Sequence, residues 1–147
     1  MRLNRDSREF IELLNSRHVD YVIVGAHSLA FHGRPRYTGD LDILIRPTEA
    51  NATKLVELLH GFGFTDAGFV PSDFTRAQQV IQLGRPPNRI DLLTSLTGVA
   101  TAEAFASKIT AEIDGISVFV LSKEMLIQNK RAVGRPQDLA DLEDLKT

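Results

Sequence analysis

Apolar and polar positions change period several times along this chain, and each change marks an element. Phe10, Ile11, Leu13 and Leu14 recur at helical spacing, which predicts a helix over Ser7–Arg17 capped by Ser7 or Asp6. Asp20–Val24 is a short β-branched run and predicts a buried strand. Gly25 turns it into a short helix, Ala26–Phe31, closed by Gly33. From Tyr37 to Ile45 the chain reads as a strand entered through a glycine turn, with Leu41, Ile43 and Ile45 alternating against Asp40, Asp42 and Leu44. Thr48 caps a helix to His60, stopped by Gly61.

The second half is more broken. Phe62–Thr65 is a candidate short strand and Asp66–Thr75 a loop, while Ala77–Leu83 and Arg89–Leu93 form a hairpin around Gly84–Asn88. Thr101–Ser107 is a short helix. Thr110–Ile113 and Ile116–Leu121 flank Asp114-Gly115, a preferred two-residue hairpin turn. Ser122 caps a helix to about Ala132 that Gly134 stops, and Pro136 opens a last one to about Leu145. The elements predict a mixed sheet with helices packed on it, an α/β or α+β domain. At 147 residues the chain is expected to be one domain, with a core over about 20–121 and C-terminal helices over about 122–145.

Composition narrows the chemistry. Apolar content of 43% and charged content of 24% are those of an ordinary soluble globule, and a net charge of −2 argues against a broad electrostatic grip on nucleic acid or anionic membrane. With no cysteine, disulfides, thiolate metal sites and cysteine nucleophiles are excluded, which fits a cytoplasmic location. There is neither an apolar signal core at the N-terminus nor a run long enough to cross a bilayer. The four histidines lack metal-site spacing: His27 and His32 are five apart, His60 closes a helix and His18 precedes a strand. Phe62, Phe64, Phe69 and Phe74 read as local core, with base stacking the alternative.

Three acids stand out. Asp40 and Asp42 share one strand face with Cα atoms roughly 6.5 Å apart, close enough to converge on one cation or bridge two. The plainer alternative is a surface strand whose wet face carries two aspartates. Asp91 sits alone in an apolar strand and needs a partner; a salt bridge to Arg89 satisfies it, and so does a place beside Asp40 and Asp42 in a metal site. Upstream, Gly25-Ala26-His27-Ser28 puts small residues between a strand and a helix N-terminus, where backbone N–H groups favour a phosphate.

The stretch Gly25–Ile43, with its Arg36-x-Thr38-x-Asp40-x-Asp42 core, the later Asp91 and the block Lys130–Leu142 resembles the polymerase-β-like nucleotidyltransferases. Within them it is most similar to small bacterial proteins related to AbiEii-type abortive-infection toxins, and the matches run from about residue 20 to 145. The resemblance implies transfer of a nucleoside monophosphate from a nucleoside triphosphate (NTP) to an acceptor, with two Mg²⁺ ions (or Mn²⁺) held by Asp40, Asp42 and Asp91, and Asp91 as base. It implies that Gly25, Ala26, Ser28, Arg36 and Thr38 meet the triphosphate. Lys130 and Arg135 join them, oriented by Asp138 and Asp141; ordinary ion pairs on a solvated helix are the alternative.

Two departures matter. Ala26 stands where relatives often carry glycine or serine, which leaves phosphate binding to backbone N–H groups or Ser28. The chain is also short for a full-length toxin of this kind, so its site stays open or is completed by a partner protein or a second copy. The acceptor is RNA such as tRNA, a protein or a small molecule. A tRNA would need a basic rim, for which Arg34, Arg36, Arg76, Arg85, Lys130, Arg131 and Arg135 are the candidates. A toxin–antitoxin or phage-defence role follows from the resemblance. The other readings are a non-catalytic nucleotide-binding, antitoxin-like regulator and a plain interaction module.

Overall fold

The computed structural model describes residues 3–33, 39–63, 68–85 and 88–145. Its centre is a six-stranded mixed sheet in the order β3-β4-β2-β1-β6-β5. The two middle strands are β1 (Tyr21–Val24) and β2 (Leu41–Ile45), which run antiparallel with Tyr21 opposite Ile45 and Val24 opposite Asp42. Outside β2 lies β4 (Asn88–Leu93), parallel to it, with β3 (Val80–Arg85) antiparallel at that edge. On the other flank β6 (Ile116–Val120) pairs parallel to β1 and carries β5 (Ile109–Ile113) as its hairpin partner.

Alternation along these strands divides the apolar residues between two cores. Tyr21, Ile23, Leu41, Ile43, Ile45, Ile90 and Leu92 face one side, where α1 (Arg5–Ser16) and α3 (Glu49–Gly61) add Phe10, Ile11, Leu14, Leu55, Leu58 and Leu59. Val22, Val24 and Leu44 face the other side, covered by α2 (Gly25–His32), α4 (Thr101–Ala106), α5 (Lys123–Val133) and α6 (Pro136–Leu145) through Leu29, Phe105, Leu126 and Leu145. Truncating Ile43, which is fully buried, to alanine is expected to cost about 2–5 kcal/mol. Asp42 is the one β2 residue that is not fully buried. It shares its face with Leu44, so the acid side of the strand is part core and not a wetted surface.

Several boundaries differ from the sequence pattern for identifiable reasons. The cap of α1 is Asn4, whose side chain accepts from the Ser7 N–H at 2.9 Å; Asp6 lies in the first turn and Ser7 is buried within the helix. Gly61 is still helical in α3, and Phe62 follows it, anchored edge-on to Phe10 with ring centroids 5.5 Å apart. Phe62 and Gly63 form a turn and not a strand, while Phe64 and Thr65 lie outside the described residues. Within 66–75, Pro71–Phe74 makes a 3-10 turn that buries Phe74.

The β3–β4 ladder extends to Arg85 opposite Asn88, further into Gly84–Asn88 than the turn signal suggests. Its other end begins late because Gln78 has a φ of 60° and its N–H donates to Ser95 Oγ. Asp114 and Gly115 take φ values of 51° and 82°, as the tight hairpin requires. Ser122 caps α5 by accepting from the Met125 N–H.

Candidate active site

The parallel pairing of β2 with β4 places Asp42 directly opposite Asp91. Asp40 ends the approach to β2, two residues earlier on the same side of the strand. The three acids are therefore brought together by one register. A one-residue slip of either strand would turn its carboxylate into the opposite core, so the apolar alternation of β2 and β4 also specifies the site.

The loop from β1 into α2 closes it from a third side. Gly25 has a φ of +66°, and a Cβ built there would lie 2.2 Å from Asp42 Oδ2. Glycine is needed twice over: for the left-handed backbone and for the close approach to a carboxylate. Side chains cap α1, α3 and α5, whereas α2 begins at Val24 with no side-chain cap. Its first-turn N–H groups thus start beside the acids without a capping oxygen.

Arg89, two residues before Asp91, lies over the acids. Its Nε donates to Asp91 Oδ1 at 2.8 Å and its Nη2 to Asp91 Oδ2 at 3.1 Å. The same Nη2 is 3.8 Å from Asp40 Oδ2, and the Arg89 backbone N–H donates to Asp40 Oδ1 at 3.4 Å. Asp91 is thus salt-bridged to Arg89 and also stands beside Asp42.

One guanidinium does not neutralise three carboxylates. Asp42 is pushed up to about 6, first by burial and then by the charges of Asp91 and Asp40; its hydrogen bond with Asp91 adds to this and Arg89 opposes it. Buried His27, the third residue of α2, is held below the usual imidazole range by desolvation, against a hydrogen bond to the Asp40 backbone and the Asp40 charge. Its Nδ1 has no hydrogen-bond partner among the described residues. Neutral His27 therefore braces the Asp40 backbone without adding charge.

Among the described residues no three acid or imidazole groups already close into a ligand cage. The donor set nevertheless fits a hard divalent cation: three carboxylates on or leading into two adjacent strands, one raised by burial and then by its neighbours, with room at Gly25 that a side chain would fill.

The remaining candidates are distributed differently. Gly25 and Ala26 stand at the start of α2 as expected, half-buried. Ser28 is fully buried and its hydroxyl donates to the Gly25 carbonyl at 2.8 Å, so it ties the first turn of α2 instead of presenting an oxygen outward. Arg36 and Thr38 lie outside the described residues.

Lys130 and Arg135 belong to the α5–α6 junction, on the sheet side that carries Asp42. Lys130 Nζ is buried between Asp138 Oδ1 at 3.2 Å and Asp141 Oδ2 at 3.3 Å. Arg135, with a side chain 70% exposed, reaches Asp138 Oδ2 at 2.7 Å through Nε. Together they hold the Asp138 carboxyl down at about 2, Arg135 contributing most. The sequence offers Arg89 only as a salt bridge to Asp91, and His27 only as a metal ligand that its spacing from His32 rules out. The signal for Arg89 was its two-residue spacing from Asp91, which puts both on one strand face.

No protein-family model matches the sequence, and no curated protein matches it significantly. The fold does find a counterpart. A crystal structure of a "putative nucleotidyltransferase" from Thermotoga maritima superposes with a TM-score of 0.64 over 95% of this chain and 89% of its own, at 20% identity. The chain has a nucleotidyltransferase-like fold. Identity at this level carries the architecture alone. Within the nucleotidyltransferase-like fold the acids sit at the β2–β4 pair, beside the start of α2. No helix among the described residues is long and apolar enough to cross a membrane.

Proposed function

We propose that this protein is a nucleotidyltransferase that moves a nucleoside monophosphate from an NTP to an acceptor hydroxyl and releases pyrophosphate. The observation that carries the reading is Asp42 opposite Asp91 in register, with Asp40 two residues upstream, at the uncapped start of α2. Asp40, Asp42 and Asp91 would hold two Mg²⁺ ions, or Mn²⁺, which supply charge neutralisation at the phosphates and acidify the acceptor hydroxyl.

The protein's own groups do the rest. Backbone N–H groups at Gly25 and Ala26 receive phosphate oxygens, a task that falls to the main chain because Ser28 is turned inward. The acceptor oxygen attacks the α-phosphorus, the bond to the bridging oxygen of the β-phosphate breaks, and pyrophosphate leaves. Asp91 takes the hydroxyl proton. Arg36 and Thr38 on the approach to the acids would contact the triphosphate. Of the two C-terminal bases, Arg135 is the one exposed enough to reach phosphate, while Lys130 is enclosed by Asp138 and Asp141.

The resemblance to AbiEii-type proteins extends the proposal to a cytoplasmic toxin–antitoxin or phage-defence enzyme. Its acceptor would be tRNA, a protein or a small hydroxylated molecule, and a partner protein or second copy would complete the acceptor side. A second reading, a regulator that binds nucleotide without transferring it, is favoured by one observation: Arg89 already supplies a cation to Asp91 and Asp40.

Incubation with Mg²⁺, labelled NTPs and acceptor pools of tRNA, cell protein or small alcohols separates the two. Labelled acceptor, lost in Asp42→Asn, supports transfer. Metal-dependent nucleotide binding with no labelled acceptor supports the regulator, and absence of both removes the nucleotide reading altogether.

A further inference from the structure

Arg89 is arranged as a cation in its own right. Its fork takes both oxygens of Asp91, its outer nitrogen leans on Asp40, and its backbone N–H reaches the other Asp40 oxygen. The guanidinium is only part-exposed, with 27% of the side chain accessible, and the Asp91 side chain beneath it is 11% accessible. A divalent ion at these acids would need the same Asp91 oxygens that the fork occupies.

We propose that Arg89 is the resting counter-ion of the acid cluster, which an incoming divalent cation must displace from Asp91. This rests on the nucleotidyltransferase reading and adds a device to it. The site without metal is kept folded by an internal cation, and metal affinity is lowered by the strength of that ion pair. Two parallel charge-assisted bonds are among the stronger side-chain contacts, so the competition is appreciable. The displaced guanidinium stays on β4 beside the acids, because its Cα is held by the Gly84–Arg89 pairing. A purely structural Arg89 would predict only a loss of stability on substitution. A competing one predicts a gain in metal affinity as well.

The test measures Mn²⁺ binding by calorimetry, together with the melting temperature with and without Mg²⁺, for wild type, Arg89→Gln and Arg89→Lys. The expected result for Arg89→Gln is a lower melting temperature without metal, Mn²⁺ bound about tenfold more tightly, and a larger Mg²⁺-induced rise in melting temperature. Arg89→Lys, which keeps one charge but loses the fork, should fall between the two and serves if the glutamine variant does not fold. Mn²⁺ bound by wild type but equally or less tightly by the variants overturns the counter-ion role and leaves the nucleotidyltransferase reading standing. No Mn²⁺ on any of the three chains overturns both.

Discussion

Two acid clusters lie on the same side of the sheet, and they are built on opposite principles. At the β2–β4 pair three carboxylates face one guanidinium, and burial first, then the neighbouring acids, drive Asp42 up to about 6. At the α5–α6 junction two carboxylates meet two bases, and Asp138 is held down at about 2. The balanced cluster completes itself and joins two helices. The unbalanced one carries uncompensated negative charge as folded, which a cation from outside would relieve. Charge stoichiometry, more than the number of acids, separates a brace from a binding site.

The largest expected effect breaks the unbalanced cluster at its centre. Asp91→Asn should lower transfer on the order of 10³-fold, measured by label incorporation, and should lower the metal-free melting temperature in the same direction as Arg89→Gln, because it removes the acid on which the Arg89 fork closes. Next comes Gly25→Ala, whose methyl group would press on Asp42 Oδ2 in a left-handed backbone. It should reduce Mn²⁺ affinity at least about tenfold and destabilise by about 1–3 kcal/mol, read by calorimetry and urea unfolding. The balanced cluster should answer in the opposite currency: Asp138→Asn leaves buried Lys130 with one acid fewer and should cost about 3 kcal/mol in urea unfolding.

A pH series sharpens the contrast. Folded Asp42 keeps its proton to about pH 6, whereas unfolded it loses it near 3.8. Over that interval the folded chain binds more protons, so metal-free stability should fall as pH rises from about 4 to about 6, by on the order of 2–3 kcal/mol. Asp42→Asn should flatten this limb in melting temperatures taken in chelator. Asp138 runs the other way: its contribution is present above the ordinary carboxylate range and disappears as pH falls through about 2. The smallest effect belongs to Arg135→Ala. Its side chain is 70% exposed, and the loss should be about 0.2–1 kcal/mol, read as a slight shift in the urea midpoint.

Much of this was legible in one dimension. Alternation in Leu41–Ile45 and Ile90–Leu93 announced two strands with acids on one face, and Asp114-Gly115 announced its hairpin. Helix ends were less legible where several residues compete for one job. Asn4, Asp6 and Ser7 can all cap, and the amide two residues upstream of Asp6 does so. Ser28 looked available because a list of residues cannot show that its hydroxyl turns back on Gly25.

The sequence by itself determined the residues that carry charge in apolar strands, the face each occupies, and the glycine between β1 and α2. Those follow from local periodicity and from the steric freedom of a single residue. Only the tertiary structure decided that β4 lies beside β2, parallel and in a register that sets Asp91 against Asp42. It also decided that Arg89 would lie across the acids and that Gly25 would touch one of them. Strand order and register are settled by burial of both sheet faces at once, a sum over contacts between residues far apart in the chain.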